Sequence, residues 1–263
     1  MGYANVVLAT DLQRGSEVPW AHAIRLAAGG GKVKAVHAAK DAHHHPWSQM
    51  PSTETVCGRW GVDVVAVEHV GLSGDPAEVI CQVMGADAPD LVVLGTHRPS
   101  GMQRMLQGGS VAEQVVRCRE KGDTLIVPDG VEGLVEAESG AVSLDRILVP
   151  VSGEKDQQLA VDAAVRLAET LATGPVEFVL LHRPDEQAMP ELVLPESDRW
   201  SWRREELPAS SVVAAIMEGA VRWNVSAIVM VSHGHDSMED ALFGSMTERV
   251  LRDAFVPLMV VRP

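Results

Sequence analysis

The chain has 263 residues, 46% hydrophobic and 22% charged, with a formal net charge of -14, and its mean hydropathy of +0.05 is that of an ordinary globular protein. The acidic balance, with no basic patch interleaved with aromatics, argues against nucleic-acid partners. No apolar run reaches the roughly 18 residues of a membrane span, and the start lacks the layout of a signal peptide, so a cytoplasmic protein is expected.

Residues 5–11 (NVVLATD) form a short β-rich run ending in a polar turn, and 17–28 carry apolar residues at helical spacing up to a glycine triplet at 29–31. Strands are predicted over 32–39, 61–70 and 90–96, helices over 75–87 and 109–120, and a fifth strand over 123–128. This alternation predicts parallel pairing through right-handed crossovers. Residues 129–144, rich in Gly and Glu and without periodicity, read as a linker. The order then returns, with strands over 145–153, 176–182, 199–205, 226–232 and 257–263, and helices over 156–172, 210–223 and 245–254. A repeat of about 130 residues is a duplicated domain rather than a solenoid. The expected architecture is α/β: two tandem doubly wound domains, 1–128 and 145–263, each a five-stranded parallel sheet with helices on both faces.

Ligands of such sheets lie beyond the carboxyl ends of the strands, where the strand order reverses. The fourth strand of each copy is followed by a long loop that returns to a helix opened by Gly-Ser, over 95–111 and 232–246. Loops of that length tend to be functional. In the second copy, Gly234 permits a tight turn and Gly244 leaves the helix start without a Cβ. Ser245, Met246 and Thr247 would then offer N–H groups at a positive helix end, an anion site built from backbone. The alternative is that Ser245 only caps the helix, with Glu248 completing a capping box.

Laid side by side, the two copies resemble the tandem form of the universal stress protein family, over nearly the whole chain outside the linker and the inserts at 41–58 and 184–198. Nucleotide-binding members carry Gly, two residues, Gly, nine residues and Gly-Ser or Gly-Thr after the fourth strand, with an Asp ending the first. The second copy keeps Gly234, nine residues and Gly244-Ser245, but Val231 stands for the first Gly and Ser152 for the Asp. The first copy supplies Thr10, Asp11 and Gly95, but Arg98 replaces the second Gly and Gly109-Ser110 arrives one residue late behind Gly108. Arg98 could crowd the loop or reach a phosphate bidentately, and Ser152 lacks the charge-assisted acceptor that Asp11 offers.

The resemblance implies an adenine nucleotide alpha hydrolase-like fold and a stress-response regulator that binds ATP or another adenine nucleotide, with Mg as its counter-ion, in at least one copy. Adenine would sit near Thr10, Asp11 and Ala38 in the first copy and near Val151, Ser152 and Arg183 in the second. The phosphates would lie against Gly95, His97, Arg98, Gly108, Gly109, Ser110 and Val111, or against Ser232, His233, Gly234, Gly244, Ser245, Met246 and Thr247. The second copy, with its cradle spacing intact, is the stronger expectation. The fifth strands would be the edges that pair, within the chain or in a homodimer. The alternative is a scaffold without nucleotide or cofactor, whose grooves have adapted to another ligand or a protein partner.

The remaining residues add little chemistry. Cys57, Cys81 and Cys118 are odd in number and lack zinc or CxxC spacing, which predicts reduced structural thiols. The three histidines at 43–45, with His37 nearby, read as part of an exposed loop rather than a metal site. His97 and His233 occupy matching positions, but no serine, cysteine or carboxylate pair completes a catalytic set, so a binding protein is expected ahead of a weak ATPase. Trp200 and Trp202 alternate on a strand and should face the same side.

Overall fold

The computed structural model describes residues 2–39, 47, 50–96, 110–131, 133–184, 188–232 and 246–263. The first half contributes β1 (Asn5–Ala9), α1 (Glu17–Ala27), β2 (Lys32–Ala39), α2 (Thr53–Trp60), β3 (Ala66–Ser73), α3 (Pro76–Asp87), β4 (Leu91–Thr96), α4 (Val111–Cys118) and β5 (Gly122–Pro128). The second contributes β6 (Arg146–Val151), α5 (Gln157–Leu171), β7 (Val176–His182), β8 (Trp200–Glu206), α6 (Val212–Arg222), β9 (Ala227–Val231), α7 (Met246–Asp253) and β10 (Leu258–Arg262).

All the strands join in one ten-stranded sheet of order β3-β2-β1-β4-β5-β10-β9-β6-β7-β8. Each half is parallel within itself, and the halves meet where β5 and β10 pair antiparallel, Leu258 opposite Ile126 and Met259 opposite Leu125. The fifth strands thus close on each other within the chain and leave no exposed apolar edge at the seam.

Strand alternation sorts the core into two layers. Val6, Leu8, Leu91, Val93 and Leu125 face α1, α2 and α5, while Val7, Ala9, Val92, Leu94 and Ile126 face α3, α4, α6 and α7. Local signals set the helix starts on the second face. Asp75 accepts from Ala77 N and Glu78 N ahead of Pro76, and Ser211 accepts from Ala214 N.

The seam carries one buried polar cluster. Tyr3 donates to Asp123 Oδ2 at 2.9 Å, and Arg166 of α5 donates to the same oxygen at 3.0 Å, so a first-half carboxylate is held by a second-half cation. Burial holds the Asp123 carboxyl above its ordinary range, outweighing the nearby Arg166.

Several features go beyond the sequence reading or against it. Residues 53–60, most of them within the 41–58 insert, form α2, whose start is capped by Ser52 and whose end is turned by Gly61 in the left-handed region. The 129–144 segment, read as a linker, packs on the core: Leu134, Val135 and Leu144 are buried, and Val135 bridges Val142 in a small antiparallel turn. The cysteines are not all reduced, because Cys81 and Cys118 form a disulfide joining α3 to α4, and only Cys57 is free. The 37-residue separation gave no sign of this pairing, which arises because the crossover lays the two helices side by side. Trp200 and Trp202 do share a side, both indole N–H groups donating to Pro195 O at 2.9 Å.

Candidate functional site

A cavity of about 620 Å³ opens beyond the carboxyl ends of β1, β2 and β4. The reversal of strand order at β1 and β4 creates it, since α1 leaves toward one face of the sheet and α4 toward the other. Ala9, Val36, Ala38, Ile80 and Leu94 make an apolar interior, and Thr10, Asp11, Arg14, Glu17, Ser110 and Asp129 make a polar rim.

Backbone and side chains at the end of β1 are tied to one another. Thr10 N donates to Val36 O at 3.0 Å, fixing β1 to β2, and Thr10 Oγ1 accepts from Leu12 N at 3.1 Å. Asp11 Oδ1 accepts from Gln13 N at 3.0 Å and from Ser16 Oγ at 2.8 Å. These bonds hold Leu12 at φ 57°, a left-handed conformation that costs a non-glycine residue about 1 kcal/mol. Gly95 matters for space: a Cβ there would come within 3.0 Å of Pro19 Cγ and narrow the cavity where β4 passes α1.

At the opposite wall, Ser110 caps α4 by accepting from Glu113 N at 3.2 Å, and Ser110 N donates to Glu113 Oε2 at 2.6 Å. This capping box places the chain's own carboxylate on Ser110 N, one of the N–H groups of the predicted anion cradle. Glu113 also lies 3.7 Å from Arg252 of α7, while Arg117 of α4 donates to Glu248 of α7. Glu113 and Arg117 of α4 thus have matching partners in Glu248 and Arg252 of α7, so a reciprocal pair of ion bridges ties the two helices.

The second half offers a smaller cavity of about 340 Å³, lined by Val151, Ser152, Arg183 and apolar residues of α6. Ser152 N donates to Gln157 Oε1 at 3.2 Å and Ser152 Oγ accepts from Glu154 N at 3.3 Å, so Gln157 braces this loop as Ser16 and Asp11 brace the other. Ser232 is buried at the end of β9, its carbonyl accepting from Arg262 at 3.1 Å, and Met246 and Thr247 open α7.

The structure therefore brings Thr10, Asp11, Ala38, Gly95, Ser110 and Val111 together on one cavity, and Val151, Ser152 and Arg183 on the other. His97, Arg98, Gly108, Gly109, His233, Gly234, Gly244 and Ser245 lie outside the described residues. The sequence reading missed Arg14, Glu17, Pro76 and the 129–131 segment, all of which line the first cavity. For Pro76 a signal existed, since Asp-Pro marks a helix start at the mouth of a crossover. For 129–131 none did, because nothing in a Gly- and Glu-rich stretch points back at β1.

The profile of the universal stress protein family matches residues 2–128 and 203–262, more than half the chain. The chain belongs to the universal stress protein family. Solved structures of similar fold cover nearly all of it. A universal stress protein from Archaeoglobus fulgidus DSM 4304 is 18% identical over 98% of this chain and 96% of its own, with a TM-score of 0.64. A functionally unknown protein from Pseudomonas aeruginosa PAO1 is 13% identical over 99% of this chain and 93% of its own, at 0.67. A putative universal stress protein from Pseudomonas aeruginosa UCBPP-PA14 is 14% identical over 99% and 94%, at 0.66. No curated protein matches the chain. At these identities the neighbours bear on fold alone, and they agree with a universal stress protein in tandem form. Among the described residues, no helix is long and apolar enough to cross a membrane, and no three metal-ligating side chains come together.

Proposed function

We propose that this universal stress protein is a cytoplasmic regulator that binds ATP or a related adenine nucleotide in its first half. The observation that carries the reading is the cavity of about 620 Å³ at the β1/β4 reversal, within the size range of small-ligand sites and lined by all six predicted first-half residues that the structure describes. Its apolar interior suits a flat heteroaromatic ring, and its rim of Thr10, Asp11 and Ser110 suits the hydroxyls and phosphate that follow the ring. Mg would enter as the counter-ion of the triphosphate rather than as a resident ion, since no acidic cluster among the described residues forms a cage for it.

Sequence spacing favoured the second half. The larger cavity favours the first, and we assign the second half's smaller cavity a lesser ligand or none. In this reading 1–128 and 145–263 are the two units, 129–144 joins them, and the occupied state is read by a protein partner or by self-association. In this reading the ligand is held rather than turned over.

A second reading, a scaffold whose grooves serve another ligand or a protein partner, draws on one observation. Glu113 already occupies Ser110 N, so a phosphate at the start of α4 must displace it. The two are separated by denaturing the purified chain and identifying the small molecules released. Adenine nucleotide approaching one equivalent per chain supports the first reading. A chain that releases none, and takes up none from millimolar ATP, supports the second.

A further inference from the structure

The Cys81–Cys118 disulfide joins the two helices that wall the first cavity. Helix α3 supplies Pro76 and Ile80 to the lining, and Cys81 is the next residue along the chain. Helix α4 supplies Ser110, Val111 and Ala112 at its start and ends in Cys118, about 12 Å away for eight helical residues. The covalent ring closed between 81 and 118 therefore contains β4, with Gly95 and Thr96 of the lining, and the cavity face of α4. Cys118 is exposed and Cys81 half-buried, so a soluble thiol can reach the bond from outside. A chain with two extensive buried layers does not depend on a disulfide for its core, as small secreted domains do. The second half has no equivalent, because all three cysteines of the chain lie in the first.

We propose that this disulfide is a redox-controlled clamp on the first-half cavity: oxidised, it fixes the spacing of α3 and α4, and reduced, it lets the start of α4 loosen. The reductant is a dithiol. Its thiolate attacks Cys118 Sγ, the sulfur–sulfur bond breaks, and Cys81 leaves as a thiolate that takes up a proton. The second thiol of the reductant then cleaves the mixed disulfide and frees Cys118, so two electrons and two protons pass to the protein while the dithiol becomes a disulfide. A low-molecular-weight disulfide reverses the step by the same exchange. Only the ligand readout of this inference rests on the proposed nucleotide site; the clamp itself concerns the helices.

The test is hydrogen exchange on the full chain, oxidised and after dithiothreitol, with thiol state assigned by alkylation and mass. Peptides over 76–84 and 110–118 are compared with 157–171 of α5, on the opposite face of the sheet, as internal reference. Reduction is expected to speed exchange in 110–118 by about tenfold while leaving 157–171 unchanged, and Cys81→Ser should reproduce this without reductant. Exchange in 110–118 that is the same in both forms, or that rises equally in 157–171, overturns the clamp. So does alkylation of all three cysteines after treatment with a disulfide oxidant. ATP titration of both forms separates the two claims. A change in exchange with no ATP bound in either form leaves the clamp standing and removes the nucleotide reading. Equal ATP affinity with unchanged exchange does the reverse.

Discussion

His22 is fully buried on α1, and its ring joins that helix to the 129–144 segment. Its Nδ1 contacts Val18 O at 2.7 Å and its Nε2 accepts from Leu134 N at 2.7 Å. A carbonyl can only accept and a backbone amide can only donate, so Nδ1 carries the proton and Nε2 must stay bare. Protonating Nε2 would set N–H against N–H. Burial accordingly pushes the imidazole down from 6.5 to about 4. The unfolded chain therefore binds the proton first. The contribution of His22 is complete above pH 6.5 and is lost as pH falls toward 4, by roughly 2–3 kcal/mol between pH 7.5 and pH 4.5.

Urea unfolding of the native chain and of His22→Gln at those two values measures this. The stability difference between the two proteins should shrink by about 2 kcal/mol on acidification, because Gln does not titrate. Acid should also raise proteolysis within 129–144 before global unfolding, since Leu134 and Val135 hang on the same ring nitrogen. A difference that is flat in pH would refute the assigned tautomer and with it the anchoring of this segment. A Cβ at Gly133 would lie within 2.4 Å of the same ring, so Gly133→Ala should release the segment at any pH.

Three further outcomes are expected. Leu134→Ala, which empties a fully buried site, should destabilise the chain by about 3 kcal/mol in chemical denaturation. Arg166→Met should cost on the order of 2 kcal/mol at pH 7.5 and less at low pH. Burial raises the Asp123 carboxyl, so the protonated acid that prevails at low pH no longer needs its cation; an equal cost at both values would exclude that explanation. Glu113→Gln should tighten ATP binding by about fivefold in calorimetry, because the carboxylate on Ser110 N then no longer repels the phosphates, whereas unchanged affinity would place them elsewhere.

The sequence carried most of the framework, for reasons visible in single elements. The run 32–39 alternates around β-branched residues and became β2 without a shift of bounds, and 176–182 became β7 likewise. The third strand ran from 66 to 73 rather than 61 to 70, because Val62 N donates back to Cys57 O at the end of α2 instead of joining the strand ladder. What stayed hidden were features made by tertiary contact. Glu113 reads as an ordinary helix residue until its carboxylate is seen on Ser110 N, and Glu248 as a capping residue until Arg117 crosses from the other half to meet it. Asp11 was singled out as a ligand acceptor, yet its first task is local, holding Gln13 and Ser16 in the turn. Cavity-lining residues at strand ends were legible because alternation fixes where they point; the wall formed by 129–131 was not, because only the fold returns it to β1.

The most direct measurement follows thermal unfolding of the nucleotide-free chain while ATP with Mg is added, beside an Ala38→Phe variant that fills the apolar interior. Stabilisation of about 2.7 kcal/mol is expected when ATP stands at one hundred times its dissociation constant, and none in the variant. An unmoved transition in the native chain at millimolar ATP, or an equal shift in both proteins, would contradict it.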